Sequence, residues 1–392
     1  MLHTRALAEQ LYFCDLRFTL TPLEPCELPS DLGSTLRGAL GHALRDTACP
    51  RACPLPSLTA PWDCTHRALC AYSDWFEPVP RPPDSPSAGP LADVPRGFVL
   101  RPAPNRSRIY TPEQPLRFTL RLFGRLVTEA PRVVTAVARM ALVGLGAASP
   151  TSADAAAWQR LRAAGARIPP RSAHRPLLER LRLHDAGRAE FALTQVEDTA
   201  GRVLWTPSDA ALRAPETAWV LPRAFVPESL DTIDVILETP LWLRHTPTDA
   251  PSFDDLRDVA LRRIRDIAQF WHGVCAPADD TLGGDDVSVQ ADDLRSKRWF
   301  RFSADQGRKI RQMGVAGTLR LTGSGLRDHL WWLTASQELH LGKDTVFGLG
   351  RLRLRAVGGG EGDADERHDL RTHESGAGAG GLADPPGPAR DA

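Results

Sequence analysis

The residues best suited to chemistry lie near the C-terminal end, in the run HLGKDTVFGLGRLRLR from His340 to Arg355. Gly342, Gly348 and Gly350 bracket Lys343 there. Glycines let a backbone pass close to a phosphate chain and present its N–H groups, and a lysine adds a point charge. The pattern G-x-x-x-x-G-K-[ST] of nucleotide triphosphate loops does not match, because this lysine precedes the glycine pair. The alternative is that the glycines only turn the chain into a last strand.

The surroundings favour a polyanion. From Arg295 to Arg355 there are 13 Lys and Arg against four Asp and Glu, a surplus of nine positive charges. Arg298, Arg301, Arg308, Lys309 and Arg311 are interleaved with Trp299, Phe300 and Phe302, and Arg351 follows the glycines. Basic side chains beside aromatics suit RNA, through phosphate pairing and base stacking. A core position is the alternative for the aromatics. Over all 392 residues, 48 Lys and Arg balance 48 Asp and Glu. That neutrality excludes coating of nucleic acid by bulk charge, yet fits one basic groove.

Two histidines are candidate acid–base groups. His340 opens the glycine-rich run, although it also reads as a packing residue that ends a helix. His42 flanks the apolar stripe of an N-terminal helix, near Arg37 and Arg45; a solvated surface histidine is the alternative. Imidazole is the natural acid or base near pH 7. No tight Asp/Glu/His constellation suggests a catalytic metal.

Four of the seven cysteines cluster as Cys49, Cys53, Cys64 and Cys70. Two thiolate pairs can complete a tetrahedral structural zinc site that staples a small insert, with His66 able to replace one ligand. Free buried thiols are the alternative. Cys14, Cys26 and Cys275 read as ordinary core or surface residues.

The elements that must position these groups are clearest in the last third. Ile233, Val235, Leu237 and Leu241 alternate with polar residues, so 233–243 reads as a half-buried strand in which Pro240 marks an edge or a bulge. Ser252 and Asp255 form a capping box, and Leu256, Ala260, Ile264, Ile267 and Trp271 follow at helical spacing over 253–274. An acidic loop over 276–293, strands at 297–302 and 315–322, a helix at 325–339 and a last strand at 345–355 complete the order β-α-β-β-α-β. That is a ferredoxin-like arrangement of two helices on an antiparallel sheet.

The N-terminal part echoes it. Tyr12, Cys14, Leu16, Phe18 and Leu20 alternate, as do Leu116, Phe118, Leu120 and Leu122. Helices are expected at 31–45 and 131–143, and 189–206 reads as a hairpin or a displaced final strand. The fold class is therefore α+β. It comprises two tandem ferredoxin-like domains, at 1–150 with a Cys-rich insert at about 47–104 and at 226–357. A helical linker region spans 151–225, and a Gly/Ala/Asp/Pro-rich tail from 358 reads as disordered. No apolar run is long enough for a signal peptide or a membrane span, so a cytoplasmic protein is expected.

The run WFRFSADQGRKIRQMGVAGTLRLTG, then a helix, then ELHLGKDTVFGLGRLRL, resembles the C-terminal domain of CRISPR-associated precursor-crRNA processing endoribonucleases of the RAMP superfamily (the Cas-six family). The resemblance rests on Ser303, Gln306, Lys309, Gly314 and Gly317, then His340, Gly342, Lys343, Phe347, Gly348, Leu349 and Gly350. LRGALGHALRDTAC, the four cysteines and AYSDWFEP resemble the opening of a four-cysteine branch of that family. The resemblance implies metal-independent cleavage of CRISPR repeat RNA by 2′-hydroxyl attack, leaving a 2′,3′-cyclic phosphate and a 5′-hydroxyl. His340 and Lys343 match the family motif as catalytic candidates; catalytic histidines of the family often come from the N-terminal domain, where no fixed motif marks His42 and its place on the helix makes it the candidate. The resemblance also strengthens structural Zn2+ as the cofactor. It implies precursor crRNA as partner, with Arg37, Arg45 and the basic residues named above as RNA contacts. The alternative is a non-catalytic RAMP subunit that binds crRNA in a CRISPR effector complex.

Overall fold

The computed structural model describes residues 3–29, 31–48, 70–78, 94–103, 109–145, 147–148, 189–221, 230–243, 250–274, 286–303 and 308–357. The side chains of residues 300–303, 308 and 309 are not among those described. Cys49, Cys53, Cys64, His66, Cys275, Gln306, the 151–180 segment and the tail from 358 fall outside the described residues. Among those described, no helix is long and apolar enough to cross a membrane.

The N-terminal half begins with helix α1 (His3–Ala8) and strand β1 (Tyr12–Pro22), followed by helix α2 (Leu32–Ala48). Strands β2 (Phe98–Pro102) and β3 (Leu116–Phe123), helix α3 (Ala130–Val143) and strand β4 (Phe191–Glu197) follow. A short strand, β5 (Val203–Trp205), pairs with β4. The sheet order is β2-β3-β1-β4-β5. The predicted stripe on α2 is buried as Leu32, Leu36, Leu40, Ala43 and Leu44. Both readings of 189–206 hold at once: β4 is the displaced strand beside β1, and it forms a hairpin with β5.

The C-terminal half runs β6 (Thr232–Leu241), α4 (Phe253–Ile267), β7 (Ser288–Ser303), β8 (Arg308–Thr322), α5 (Leu326–Leu339) and β9 (Leu352–Ala356). Its sheet order is β7-β8-β6-β9, antiparallel throughout. In each half the first strand lies between the third and the fourth, with the second at the edge. The molecule is α+β, with two main antiparallel sheets that share this arrangement of four strands; among the described residues, Ala218–Trp219 also pairs with β1, and Cys26–Glu27, Ile109–Tyr110 and Ala147–Ala148 form a small third sheet.

Three boundaries differ from the sequence reading. Strand β2 lies inside the segment read as insert, because Phe98, Val99 and Leu100 are all buried and show no alternation. Strand β7 starts at Ser288, inside the expected acidic loop. Its first residues are exposed on a sheet edge, where polar side chains conceal a strand. The segment 345–355 divides into a 3-10 turn at Thr345–Phe347 and strand β9, with Gly348 and Gly350 at positive φ between them. Pro240 sits at a register shift in β6, which is an inner strand, so it marks a bulge and not an edge.

Local chemistry sets the helix ends. Ser252 caps α4 in the predicted box with Asp255. The helix widens into a π turn at Ala268–His272 and stops at Gly273, whose φ of +70° suits glycine. That turn enters the other half: Trp271 donates from Nε1 to the Pro95 carbonyl at 2.8 Å, and Arg125 covers its ring. His272 accepts the Tyr12 N–H at 3.0 Å.

Candidate nucleic-acid interface

Strands β7 and β8 continue beyond the end of β6 as a two-stranded ribbon. The register pairs Lys297 with Gly314, Arg298 with Met313 and Phe300 with Arg311, while the last pairing of β6 is Leu241 with Val315. Cross-strand partners share a face, so Arg298 and Arg311 are diagonal neighbours on one side of the ribbon. Both are exposed. Arg301, Arg308 and Lys309 belong to the same ribbon, but their side chains are not among those described.

The ribbon is tied to the glycine-rich loop by a hydrogen-bonded relay. Trp299 donates from Nε1 to Gln312 Oε1 at 2.6 Å, and Gln312 Nε2 donates to the Asp344 carboxylate. Next to Asp344, Lys343 is exposed. Its N–H donates to the Trp242 carbonyl at 2.9 Å, and its Nζ lies 5.0 Å from the centre of the Trp242 ring. Two stretches 30 residues apart thus present one basic surface.

The glycines of the loop serve close packing. Gly350 donates its N–H to the Pro240 carbonyl at 3.0 Å and Gly348 to that of Thr345 at 2.9 Å. A Cβ on Gly350 would lie 1.7 Å from the Leu341 oxygen, on Gly348 2.7 Å from the Leu100 oxygen, and on Gly342 2.5 Å from the Trp242 oxygen. The N–H donors of Gly348 and Gly350, expected in a phosphate cradle, are engaged within the chain. The loop is wedged between the halves, and its open cation is Lys343.

His340 lies inside the fold. It caps α5 with φ at +57° and is fully buried, and its ring Nδ1 lies 3.1 Å from the Leu349 carbonyl, so that nitrogen carries the proton. Burial first, then the guanidiniums of Arg101 and Arg121, push its pKa well below 6.5. The imidazole is enclosed and held neutral. The packing reading is the one its surroundings support.

His42 is exposed on α2. One turn before it, Gly38 has nothing within 4 Å of where a Cβ would be, which leaves open space beside the imidazole. The start of the same helix meets the glycine-rich loop: a Cβ on Gly33 would lie 1.9 Å from the Phe347 oxygen. Arg37 is half-buried between the rings of Phe76 and Phe347, at 4.9 and 5.0 Å, and pairs with Glu77. Its guanidinium, expected as an RNA contact, joins α2 to the loop and to Glu77. Arg45 is half-exposed and lies over the Tyr72 ring.

Other arginines of the basic window are neutralised by acids outside it. Arg320 and Arg355 pair with Asp234, Arg351 and Arg353 with Glu238, and Arg295 with Asp293. The surplus of nine therefore overstates the free charge, and Arg351 is a partner of Glu238 at 2.7 Å before it is anything else. Asp234 is buried under its two arginines, which outweigh burial and lower its pKa.

A buried charge network escaped the sequence reading. Asp15 accepts from Arg121 at 2.7 and 2.9 Å and from Arg101. Arg121 continues to the Glu338 carboxylate and, at 3.1 Å, to its main-chain oxygen. Burial alone would raise the Asp15 carboxyl; Arg101 and Arg121 outweigh it and hold it far below the usual carboxylate range. The available signal is that Asp15 and Arg121 interrupt apolar strands and are direct cross-strand partners.

Among the described residues no group of three or more His, Cys, Asp or Glu could hold a metal. Of the four clustered cysteines only Cys70 is described, as a half-buried free thiol. Burial raises the Cys14 thiol to about 12 and the Cys26 thiol to about 11, as befits core residues.

Residues 235–352 match the family model described as CRISPR-associated endoribonuclease Cas6. Residues 11–171 match a second model, described as an N-terminal domain. No curated protein matches. Among solved structures, a partial Cas6-RT-Cas1–Cas2 complex is 14% identical with a TM-score of 0.41, over 88% of this chain and 46% of that one. A Cas6 product complex is 14% identical with a TM-score of 0.44, over 87% and 98%. A Cas6 substrate mimic complex is 14% identical with a TM-score of 0.39, over 88% and 99%. The chain thus spans under half the length of the Cas6-RT-Cas1–Cas2 chain that it matches.

Proposed function

We propose that the chain is a Cas6-type RNA-processing endoribonuclease of two ferredoxin-like RAMP domains that cleaves CRISPR repeat RNA in precursor crRNA. The observation that carries the reading lies inside the 235–352 match: the Gln312–Asp344 bond sets exposed Lys343 beside the basic ribbon. Lys343, Arg298 and Arg311 then bind phosphates, and Arg45 adds charge on the α2 side.

Cleavage needs no water in its first step. The 2′-oxygen upstream of the scissile phosphate attacks phosphorus as its proton passes to a base. The P–O5′ bond breaks, and the leaving oxygen takes up a proton, which gives a 2′,3′-cyclic phosphate and a 5′-hydroxyl. His42 is the acid–base candidate, since it is exposed and His340 is enclosed. A lysine ammonium stabilises the charge that develops on the phosphorane oxygens. Metal independence and a structural zinc on Cys49, Cys53, Cys64 and Cys70 belong to the same reading; the zinc rests on the cysteine spacing and the family resemblance and is tested by metal analysis of the purified protein.

The test is incubation with repeat RNA in chelator, followed by analysis of the ends. A single cut with a cyclic phosphate end is expected, and His42→Ala should slow it by about 10²–10⁴-fold with RNA binding retained. Tight binding without a cut would leave the non-catalytic, crRNA-binding subunit instead. An unchanged rate in His42→Ala would remove that residue from the site.

A further inference from the structure

We infer that Trp242 is a stacking platform for an unpaired nucleotide of the bound RNA, with Lys343 as the ligand of that nucleotide's phosphate; this rests on the RNA-processing reading above. Trp242 follows the end of β6 and is half-buried, so part of its indole remains in contact with solvent. Its main chain is clamped: the carbonyl accepts the Lys343 N–H, and Gly342 packs flush against the same oxygen. The backbone that carries the ring is therefore held, while the ammonium above the ring sits on an exposed side chain and is free to leave.

That ammonium lies 5.0 Å from the ring centre, where the negative π face attracts a cation. A nucleobase stacks on the same face, and a phosphate competes for the same ammonium. RNA thus replaces a weak internal contact with two stronger ones, a base on the indole and a charge pair on the lysine. The place suits a strand. A Cβ on Gly314, at the root of the ribbon, would lie 2.6 Å from the Leu241 oxygen and 3.2 Å from the Trp299 ring, so Trp242, next in the chain, adjoins the point where the basic ribbon leaves the sheet. The relay through Gln312 to Asp344 keeps this geometry fixed on the loop side.

The chemistry predicts tolerance of base identity, because every base has a π face. The nucleotide must be unpaired, since a paired base cannot offer its face to a protein ring. Trp242 is a binding residue and takes no part in proton transfer.

The experiment uses the full chain and repeat RNA carrying 2-aminopurine at successive unpaired positions. Wild-type cleavage and binding are measured first; if both are absent, the RNA-processing reading fails and the inference falls with it. If wild type is active, one position should show fluorescence quenched on binding. Trp242→Ala should abolish that quenching and raise KM by roughly 5- to 100-fold, with kcat nearly unchanged. Trp242→Phe, which keeps an aromatic face, should restore most of both. Active wild type with no position quenched, or quenching and KM unaltered in Trp242→Ala, would overturn the proposal. A Trp242→Ala protein with the wild-type circular dichroism spectrum but equal losses in kcat and KM terms would also overturn it, by pointing to a structural role.

Discussion

Arg121 on β3 donates from Nη1 to both the carboxylate and the main-chain oxygen of Glu338 on α5, so one guanidinium links the N-terminal sheet to the helix that leads into the glycine-rich loop. Asp15 holds the other side of the same guanidinium. The halves are therefore joined by a buried charge network as well as by apolar packing.

Breaking that network should be costly, because the partner left behind is a buried, unpaired charge. Glu338→Ala is expected to destabilise the fold by about 3 kcal/mol, within the range for halves of buried ion pairs. Urea denaturation measures it. A loss under about 1 kcal/mol would show that Asp15 alone compensates Arg121.

Stability should also fall on mild acidification. His340 is held neutral when folded, with its pKa well below 6.5, whereas the unfolded chain takes up the proton near 6.5. The unfolded state then binds more protons, so stability is complete above pH 6.5 and declines below it by about 1.4 kcal/mol per pH unit until the folded group titrates. Burial lowers His272 as well, with the same sign. His340→Asn keeps an N–H donor and removes the titrating imidazole, and it should flatten part of the profile. An identical profile in that variant would disprove the assignment.

Two glycines of α2 should respond in opposite directions. Gly33→Ala drives a methyl into the Phe347 carbonyl, a backbone atom that cannot swing aside, and should cost about 2 kcal/mol. Gly38→Ala meets nothing and should stabilise the helix by about 0.5–1 kcal/mol. Thermal melts of the pair decide it; destabilisation by both would mean that Gly38 is also packed.

RNA affinity should depend on salt through few charges. Neutralising Arg298 and Arg311 together should weaken binding and reduce the slope of log K against log[salt] by about 1.4, at roughly 0.7 per phosphate contact on a single strand. Arg320→Gln should leave that slope nearly unchanged, since its charge serves Asp234. Equal effects in both would refute the ribbon as the phosphate surface.

Much of this was legible in one dimension. The periodicity of 12–20, 116–122, 233–241 and 253–271 identifies the strands and helices because burial on one face repeats at the period of the element. The β-α-β-β-α-β succession of the C-terminal half, the Ser252 cap and the concentration of basic residues near the C-terminus follow from local pattern. Strand β2 and the start of β7 were not legible, since one is buried on both faces and the other lies exposed on an edge.

The site itself was decided in three dimensions. Sequence alone names His42, His340, Lys343, Arg37 and three glycines as candidates, because it records residue type and spacing. Folding separates them: Arg37 is enclosed by Phe76 and Phe347, His340 lies beneath Arg101 and Arg121, and Gly348 and Gly350 donate to the chain's own carbonyls. Lys343 and His42 stay exposed. The physical reason is that solvent access and charge pairing depend on contacts between segments hundreds of residues apart, such as Gly33 with Phe347 and Arg121 with Glu338.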